Sequence, residues 1–96
     1  YTIDLPITAR ELMRRIVSLD WHGVLVAIDD GKSSTVLCEE YPKGTSRAYG
    51  NRRQHTELLA NPGEQDLTCH VCWDWLMEEL REAGFKDIRV EIQEFF

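Results

Sequence analysis

Two cysteines, Cys69 and Cys72, are the residues whose type and spacing most clearly suggest chemistry. The apolar periodicity predicts that they lie at the start of a helix. A helix N-terminus stabilises thiolate charge, and two thiolates at this spacing suit a zinc ion. The alternative is that both side chains are packing residues, with Cys72 facing the core. Zinc therefore enters as a hypothesis that needs further ligands.

A histidine and a glutamate two residues apart, His55 and Glu57, precede the cysteine pair. An H-x-E motif followed by C-x-x-C resembles the zinc nucleobase deaminases. The resemblance implies that His55, Cys69 and Cys72 bind zinc and that Glu57 is the general acid and base. That family places a helix and a strand between the motifs, and the eleven residues 58–68 are too few for both. A zinc-dependent deaminase is therefore an alternative hypothesis.

A basic segment with two tyrosines covers residues 41–56, where no acid occurs. Its four cations are Lys43, Arg47, Arg52 and Arg53. These cations and Tyr49 suit phosphate contacts and base stacking, which makes a weak single-stranded nucleic-acid binder a further alternative. However, the net charge is −6 and the rest of the chain holds seven bases against 17 acids. Such a body repels nucleic acid and attracts basic protein surfaces.

An acidic stripe on the last predicted helix consists of Asp74, Glu78 and Glu82, which recur every four residues. Such a stripe suits a basic groove on a partner, although a solvated helix face has the same pattern. Trp75 lies on the same helix, two positions after Trp73, and points elsewhere. An exposed tryptophan is an effective interface anchor. This helix therefore adds to the evidence for protein binding.

These features lead to one principal functional hypothesis. We expect a small, acidic, non-enzymatic protein-interaction module without a cofactor, an inhibitor or regulator of the kind that phages and plasmids encode. Its partner would be a protein with a basic surface, such as one that binds nucleic acid, and direct binding of nucleic acid by this chain is not expected. The predicted binding residues are Arg47, Tyr49, Arg52, Arg53, Asp74, Trp75, Glu78 and Glu82. No Ser-His-Asp pattern, glycine-rich phosphate loop or dinucleotide fingerprint speaks for an enzyme.

The length, hydropathy and cysteine content of the chain predict its domain count and its cellular location. Its 96 residues predict one domain over 1–96. No apolar run approaches the roughly 20 residues that span a bilayer, so no membrane association is expected. Three cysteines argue against a disulfide framework and favour a cytoplasmic location. Predicted edge strands at 1–5 and 88–95 make a homodimer possible.

The predicted elements give an α+β fold of the ferredoxin-like, split βαβ type, with two helices on one face of an antiparallel sheet. Its order is strand, helix, hairpin, long insertion, helix and strand. The alternative is a similar α+β sandwich in which the 42–68 segment adds a strand. These elements are a strand at 1–6, a helix at 8–20 with Thr8 as cap, a hairpin of 24–28 and 34–41 around Asp30-Gly31, an insertion at 42–68, a helix from Cys69 capped by Asp66 or Thr68 and ended by Gly84, and a strand at 88–92.

Overall fold

The computed structural model describes residues 2–92 and has an α+β architecture, which confirms the predicted class. It contains three helices, a three-stranded antiparallel sheet and a separate pair of parallel strands. The elements are α1 (Ile7–Val17), β1 (Gly31–Lys32), α2 (Ser34–Glu40), β2 (Arg47–Gly50), β3 (Arg53–His55), β4 (Asp66–Thr68), β5 (Val71–Cys72) and α3 (Trp73–Glu82). The ferredoxin-like arrangement is not confirmed, since the sheet is built from other segments than those predicted.

The first helix, α1, begins one residue before the predicted cap. Pro6 is the residue before it, and the Arg10 N–H donates to the Pro6 carbonyl at 2.9 Å. Thr8 therefore lies inside the first turn, and the predicted capping box is wrong. Proline suits a helix start because its φ is already close to the helical value. Met13 is the buried residue of this helix, which packs against α3.

The predicted hairpin is wrong, because its second strand is the helix α2. Ser33 caps this helix, and its Oγ accepts a hydrogen bond from the Val36 N–H at 3.3 Å. Asp74, forty residues along the chain, accepts bonds from the N–H and the hydroxyl of Ser34. Serine side chains accept hydrogen bonds from the free N–H groups at a helix start, so serines favour a helix start over a strand. Residues 24–28 form no strand in the structure.

Gly31 belongs to a pair of parallel strands, and the turn predicted at Asp30-Gly31 is wrong. Gly31 pairs with Val71 and Lys32 with Cys72 in parallel register. A Cβ on Gly31 would lie 2.5 Å from the Val71 carbonyl oxygen and would also collide with the Trp73 ring. Glycine is thus required for close approach of two backbones rather than for a turn.

The predicted insertion at 42–68 is an antiparallel sheet with β2 at its centre, between β3 and β4. Asn51 and Arg52 connect β2 to β3, with φ values of 49° and 60°. Two left-handed residues between antiparallel strands give the type I′ turn that matches strand twist. Ala48, in the central strand, is fully buried. The segment is therefore a sheet of three strands, rather than an insertion or a single added strand.

The last helix, α3, begins at Trp73 with Cys72 before it, so Cys69 is not in the helix and neither Asp66 nor Thr68 caps it. Its predicted end is confirmed. Gly84 has φ 88°, its N–H donates to the Arg81 carbonyl, and the Phe85 N–H donates to the Leu80 carbonyl. These two bonds are those of a Schellman motif.

The predicted terminal strands are not formed in the described part of the chain. Thr2 makes a single bridge to Lys43, and residues 3–6 have no strand partner. Residues 88–92 are not strand, and the remainder of that prediction lies outside the described residues. No helix within residues 2–92 has the length and apolarity to cross a membrane.

Candidate functional site

A cavity of about 390 Å³ opens directly after the apolar segment 24–28. Three parts of the chain form its walls: the acidic pair Asp29 and Asp30, the strand β2 with Gln54 beside it, and the connection from β4 to β5. Tyr41 and Thr45 close it on the side of α2. The cavity therefore collects residues that are 40 positions apart in sequence.

Partly buried hydrogen bonds fix one wall of this cavity. The Thr45 hydroxyl, which is buried, donates to Asp4 at 2.8 Å and accepts from the His70 N–H at 2.9 Å. The Ser46 hydroxyl donates to the same Asp4 carboxylate at 2.6 Å. Burial alone would raise the pKa of Asp4, but the bonds from Ser46 and Thr45 outweigh it and hold the pKa below its usual value. The ionised Asp4 carboxylate therefore holds the loop that contains Thr45 and Ser46 in place.

Aromatic and cationic groups form the next part of the wall. The rings of Tyr41 and His70 meet edge to face, with centroids 5.5 Å apart. The Tyr49 hydroxyl donates to Gln54 at 3.1 Å, and Arg47 donates to the Ser46 carbonyl at 2.7 Å. Arg47 is half-buried, so its guanidinium is held near the opening while further N–H groups stay available.

The acidic pair supplies the acceptors of the cavity. Asp29 accepts a bond from the Asp30 N–H at 2.8 Å, and the Asp30 carbonyl accepts from the Val71 N–H at 2.9 Å. Both side chains are exposed, so their carboxylate oxygens are accessible to a ligand. The pair lies between the apolar residues 24–28 and the strand β1. The sequence reading missed these acceptors because it assigned the pair to a hairpin turn.

The predicted binding residues of the basic segment lie together at the β2–β3 hairpin. Arg47 and Tyr49 line the cavity just described, and Tyr49 also lines a shallower groove of about 540 Å³ with Arg52 and Arg53. The structure thus places these four residues on one surface. Their role in binding remains a prediction.

The predicted binding residues of α3 lie apart from both cavities. Asp74 accepts from Ser34, and although burial raises its pKa, the bonds from Ser34 lower it below the usual value. Trp75 is half-buried, with the Arg10 guanidinium 5.2 Å from its ring centroid. Glu78 and Glu82 are exposed, and Glu78 lies 3.4 Å from Arg10. Their binding role is likewise still a prediction.

The predicted zinc ligands form no metal site among residues 2–92, where no three His, Cys, Asp or Glu side chains are grouped to hold an ion. His55 Nδ1 accepts the Glu57 N–H at 3.2 Å, and Cys72 Sγ donates to Asp74 at 3.4 Å. Burial and the charges of Asp4 and Asp29 raise the pKa of Cys69.

The buried Cys72 is affected more strongly. Burial, followed by the hydrogen bond to Asp74, raises its pKa to about 11. Burial and acidic neighbours therefore raise the pKa of both thiols, whereas the helix-dipole argument predicted stabilised thiolates.

Comparison with known proteins identifies the chemistry that the sequence reading missed. A family model described as "Putative S-adenosyl-L-methionine-dependent methyltransferase" matches residues 1–90. No curated protein and no solved structure matches the chain. The family finding points to an enzyme, so the hypotheses of a non-enzymatic inhibitor or regulator, a zinc deaminase and a nucleic-acid binder are wrong. The expectation of no cofactor, or of zinc, is wrong as well, because the family is described by another cofactor.

Proposed function

The chain belongs to the family described as putative S-adenosyl-L-methionine-dependent methyltransferases, and we propose that it takes part in methyl transfer from S-adenosylmethionine. The observation that carries this proposal is the match over residues 1–90, nearly the whole chain. When bound, this cofactor supplies an electrophilic methyl group on a sulfonium centre. The residues of the chain would bind and orient it.

The cavity beside Asp29 and Asp30 offers groups that fit this cofactor. Carboxylates accept hydrogen bonds from ribose hydroxyls or from an α-ammonium group. The Arg47 guanidinium suits the carboxylate of the methionine end. Tyr41 offers an aromatic surface for an adenine ring or a sulfonium cation. A volume of about 390 Å³ is within the range of small-molecule sites.

The bonds of Asp4, Thr45 and His70 support this assignment, because they hold the cavity wall before a ligand arrives. A site whose supporting side chains are already hydrogen-bonded loses less conformational entropy on binding. The two exposed carboxylates also give the opening a negative potential, which attracts a cationic ligand. The cofactor carries such a charge at its sulfur.

Binding of radiolabelled S-adenosylmethionine, measured by equilibrium dialysis, tests the proposal. We expect saturable binding by the wild-type chain and a Kd raised roughly 10- to 100-fold by the double variant Asp29→Asn/Asp30→Asn, as the loss of charged hydrogen bonds worth about 1.5–3 kcal/mol predicts. Asp87→Asn is the matched control, since it removes an exposed carboxylate elsewhere and asparagine tolerates the φ of 55°. Equal binding by all three proteins would refute the site.

The net charge of the chain indicates the class of molecule that accepts the methyl group. The chain has a net charge of −6, so we propose a protein with a basic surface as the partner that receives the methyl group. Transfer of a tritiated methyl group to basic and to acidic proteins of equal size tests this. Preferential labelling of the basic protein, weakened by added salt, is the expected result, and labelling without preference would contradict it.

A further inference from the structure

Two exposed arginines occupy the end of the β2–β3 hairpin. Arg52 and Arg53 line the shallow groove of about 540 Å³. Within residues 2–92 neither guanidinium makes an ion pair, even with Glu64, which lines the same groove. Arginine presents five N–H donors and stays charged at every physiological pH. Both side chains therefore offer charged donors to an anionic group.

The backbone conformation of Arg52 indicates that its side chain has a function. Its φ of 60° is left-handed, a region that costs free energy for a residue with a Cβ and that glycine adopts freely. Glycine is also the residue that this type of turn favours at this position. Residues held in such conformations cluster at binding sites, where the side chain is used. The guanidinium of Arg52 is the group that such a use would involve.

The groove continues into the cavity beside the acidic pair, because Tyr49 and Gln54 line both. These two residues are cross-strand partners, and the Tyr49 hydroxyl donates to Gln54 at 3.1 Å. Arg47 lies two residues before Tyr49, hence on the same face of the sheet, and it also lines the cavity. A ligand that reaches the cavity can therefore extend along this face to the end of the hairpin.

We propose that this surface selects the methyl acceptor through an acidic residue of the acceptor segment, which binds Arg52 and Arg53 while the methylated residue reaches the cavity. This inference rests on the proposed methyl transfer and adds the sequence that the acceptor needs. Arginine suits a carboxylate because it can donate two parallel N–H bonds to it. A single acidic residue beside the methylated one is compatible with a basic surface elsewhere on the same acceptor protein.

The register of the hairpin gives the spacing between the two acceptor residues. Arg53 pairs with Gly50, which is three residues after Arg47 of the cavity. Three residues of a strand span about 10 Å, and an extended peptide covers that distance with about three residues. We therefore expect the acidic residue about three positions from the methylated residue, on one side of it.

Fluorescence anisotropy with labelled nonapeptides tests the inference on the full-length protein. Each peptide has a central lysine or arginine in a Gly-Ser background, with glutamate three positions before it, glutamate three positions after it, or glutamine at both positions. We expect one of the glutamate peptides to bind roughly 3- to 10-fold more tightly than the glutamine peptide, as two exposed charge pairs predict. Added salt should remove the difference.

Charge reversal separates recognition from a structural effect. Arg52→Glu/Arg53→Glu should lose the preference for glutamate and should bind a peptide with lysine at that position more tightly than the glutamate peptide. A variant that was only misfolded would not prefer the opposite charge. Arg15→Glu/Arg89→Glu is the matched control, because it reverses two exposed arginines elsewhere and should keep the wild-type order of affinities.

Equal binding of the three peptides by the wild type, binding of none of them, or a glutamate preference that survives the charge reversal would overturn the inference. Displacement of the glutamate peptide by a single-stranded oligonucleotide at a lower concentration than by unlabelled peptide would do so too, because the groove would then bind nucleic acid. The proposed function fails in a different way. A protein that prefers the glutamate peptide but binds no S-adenosylmethionine would refute methyl transfer and leave the peptide specificity of this surface supported.

Discussion

Glu79 is a charged residue in the contact between α1 and α3. Its carboxylate is 4% exposed, and it pairs with Arg10 and with Arg14, whose Nε lies 2.9 Å away. Leu76, one turn earlier on α3, is buried beside it. A buried carboxylate is tolerated only when its charge is paired, so α1 is held to α3 by charge as well as by apolar contact.

This pairing predicts acid-sensitive stability. The bonds from Arg14 and Arg10 hold the pKa of Glu79 below its ordinary value of 4.5. A carboxyl with a lowered pKa stabilises the fold above its ordinary pKa and loses this effect as pH falls through the folded pKa. Glu79→Gln should therefore lower the urea midpoint at pH 7, with a difference from wild type that shrinks below pH 4.5.

Glu78→Gln is the matched control, because the neighbouring Glu78 is 54% exposed and makes one contact of 3.4 Å. An exposed pair contributes about 0–1 kcal/mol, so this variant should resemble the wild type at every pH. A Glu79→Gln midpoint equal to that of Glu78→Gln at pH 7 would show that the pairing does not stabilise the fold.

Cys72 is expected to react slowly with alkylating agents. A thiol with a pKa of about 11 is roughly 200-fold less ionised at pH 8 than a free cysteine of pKa about 8.5. Its greater nucleophilicity recovers part of this, so iodoacetamide should react roughly 10-fold more slowly, and burial slows it further. Labelling rates measured by mass spectrometry should rise when Asp74→Asn removes the neighbouring charge. An unchanged rate would mean that this charge does not control the thiol.

At the scale of elements, the β2–β3 hairpin contains a local conflict between sequence and conformation. Arg52 has φ 60°, a left-handed conformation that costs a residue with a Cβ about 1–2 kcal/mol. The preceding Asn51 tolerates this region, and Asn-Gly is the favoured pair for such a turn. The turn is thus formed although one of its two residues opposes it.

Arg52→Gly should therefore stabilise the protein by about 0.5–1 kcal/mol, after the greater entropy of unfolded glycine is subtracted. The Tm should rise by roughly 2–8 °C for a chain of this length. Arg53→Gly removes the same charge from a strand residue, where glycine costs about 0.5–1 kcal/mol, and should lower the Tm. Parallel shifts in the two variants would assign the effect to charge rather than to backbone conformation.

At the scale of the whole molecule, the core is small. Among residues 2–92, the buried apolar residues are Met13, Leu37, Ala48, Cys72 and Leu76. They belong to the three helices and to the strands β2 and β5. The apolar residues of 24–28 are outside this core. The isolated chain should therefore derive almost no stability from its most apolar segment.

The triple variant Val24→Thr/Val26→Thr/Ile28→Thr tests this. Its free energy of unfolding should stay within about 0.5 kcal/mol of wild type, because exposed substitutions rarely do more. Binding of a hydrophobic dye such as ANS should fall. Leu37→Thr, at a buried position, should in contrast cost about 2 kcal/mol or more. A comparable loss in the triple variant would mean that segment 24–28 is buried in solution.

The sequence by itself determined the features that depend on neighbouring residues. The α+β class, the existence of the first and last helices and the glycine end of α3 follow from periodicity and from the φ that Gly84 adopts. The polar faces and the position of the basic segment also follow from residue type alone. None of these depends on distant contacts.

Only the tertiary structure decided the rest. Ser34–Glu40 reads as a strand until Asp74, forty residues away, binds Ser34 at the start of a helix. Asp29 and Asp30 read as a turn until Val71 pairs beside them and β2 forms the opposite wall of a cavity. The cysteine pair reads as a metal site until the fold exposes Cys69, buries Cys72 and groups no three His, Cys, Asp or Glu side chains around an ion in residues 2–92. In the first two cases a long-range contact outweighs a local preference of about 1 kcal/mol or less.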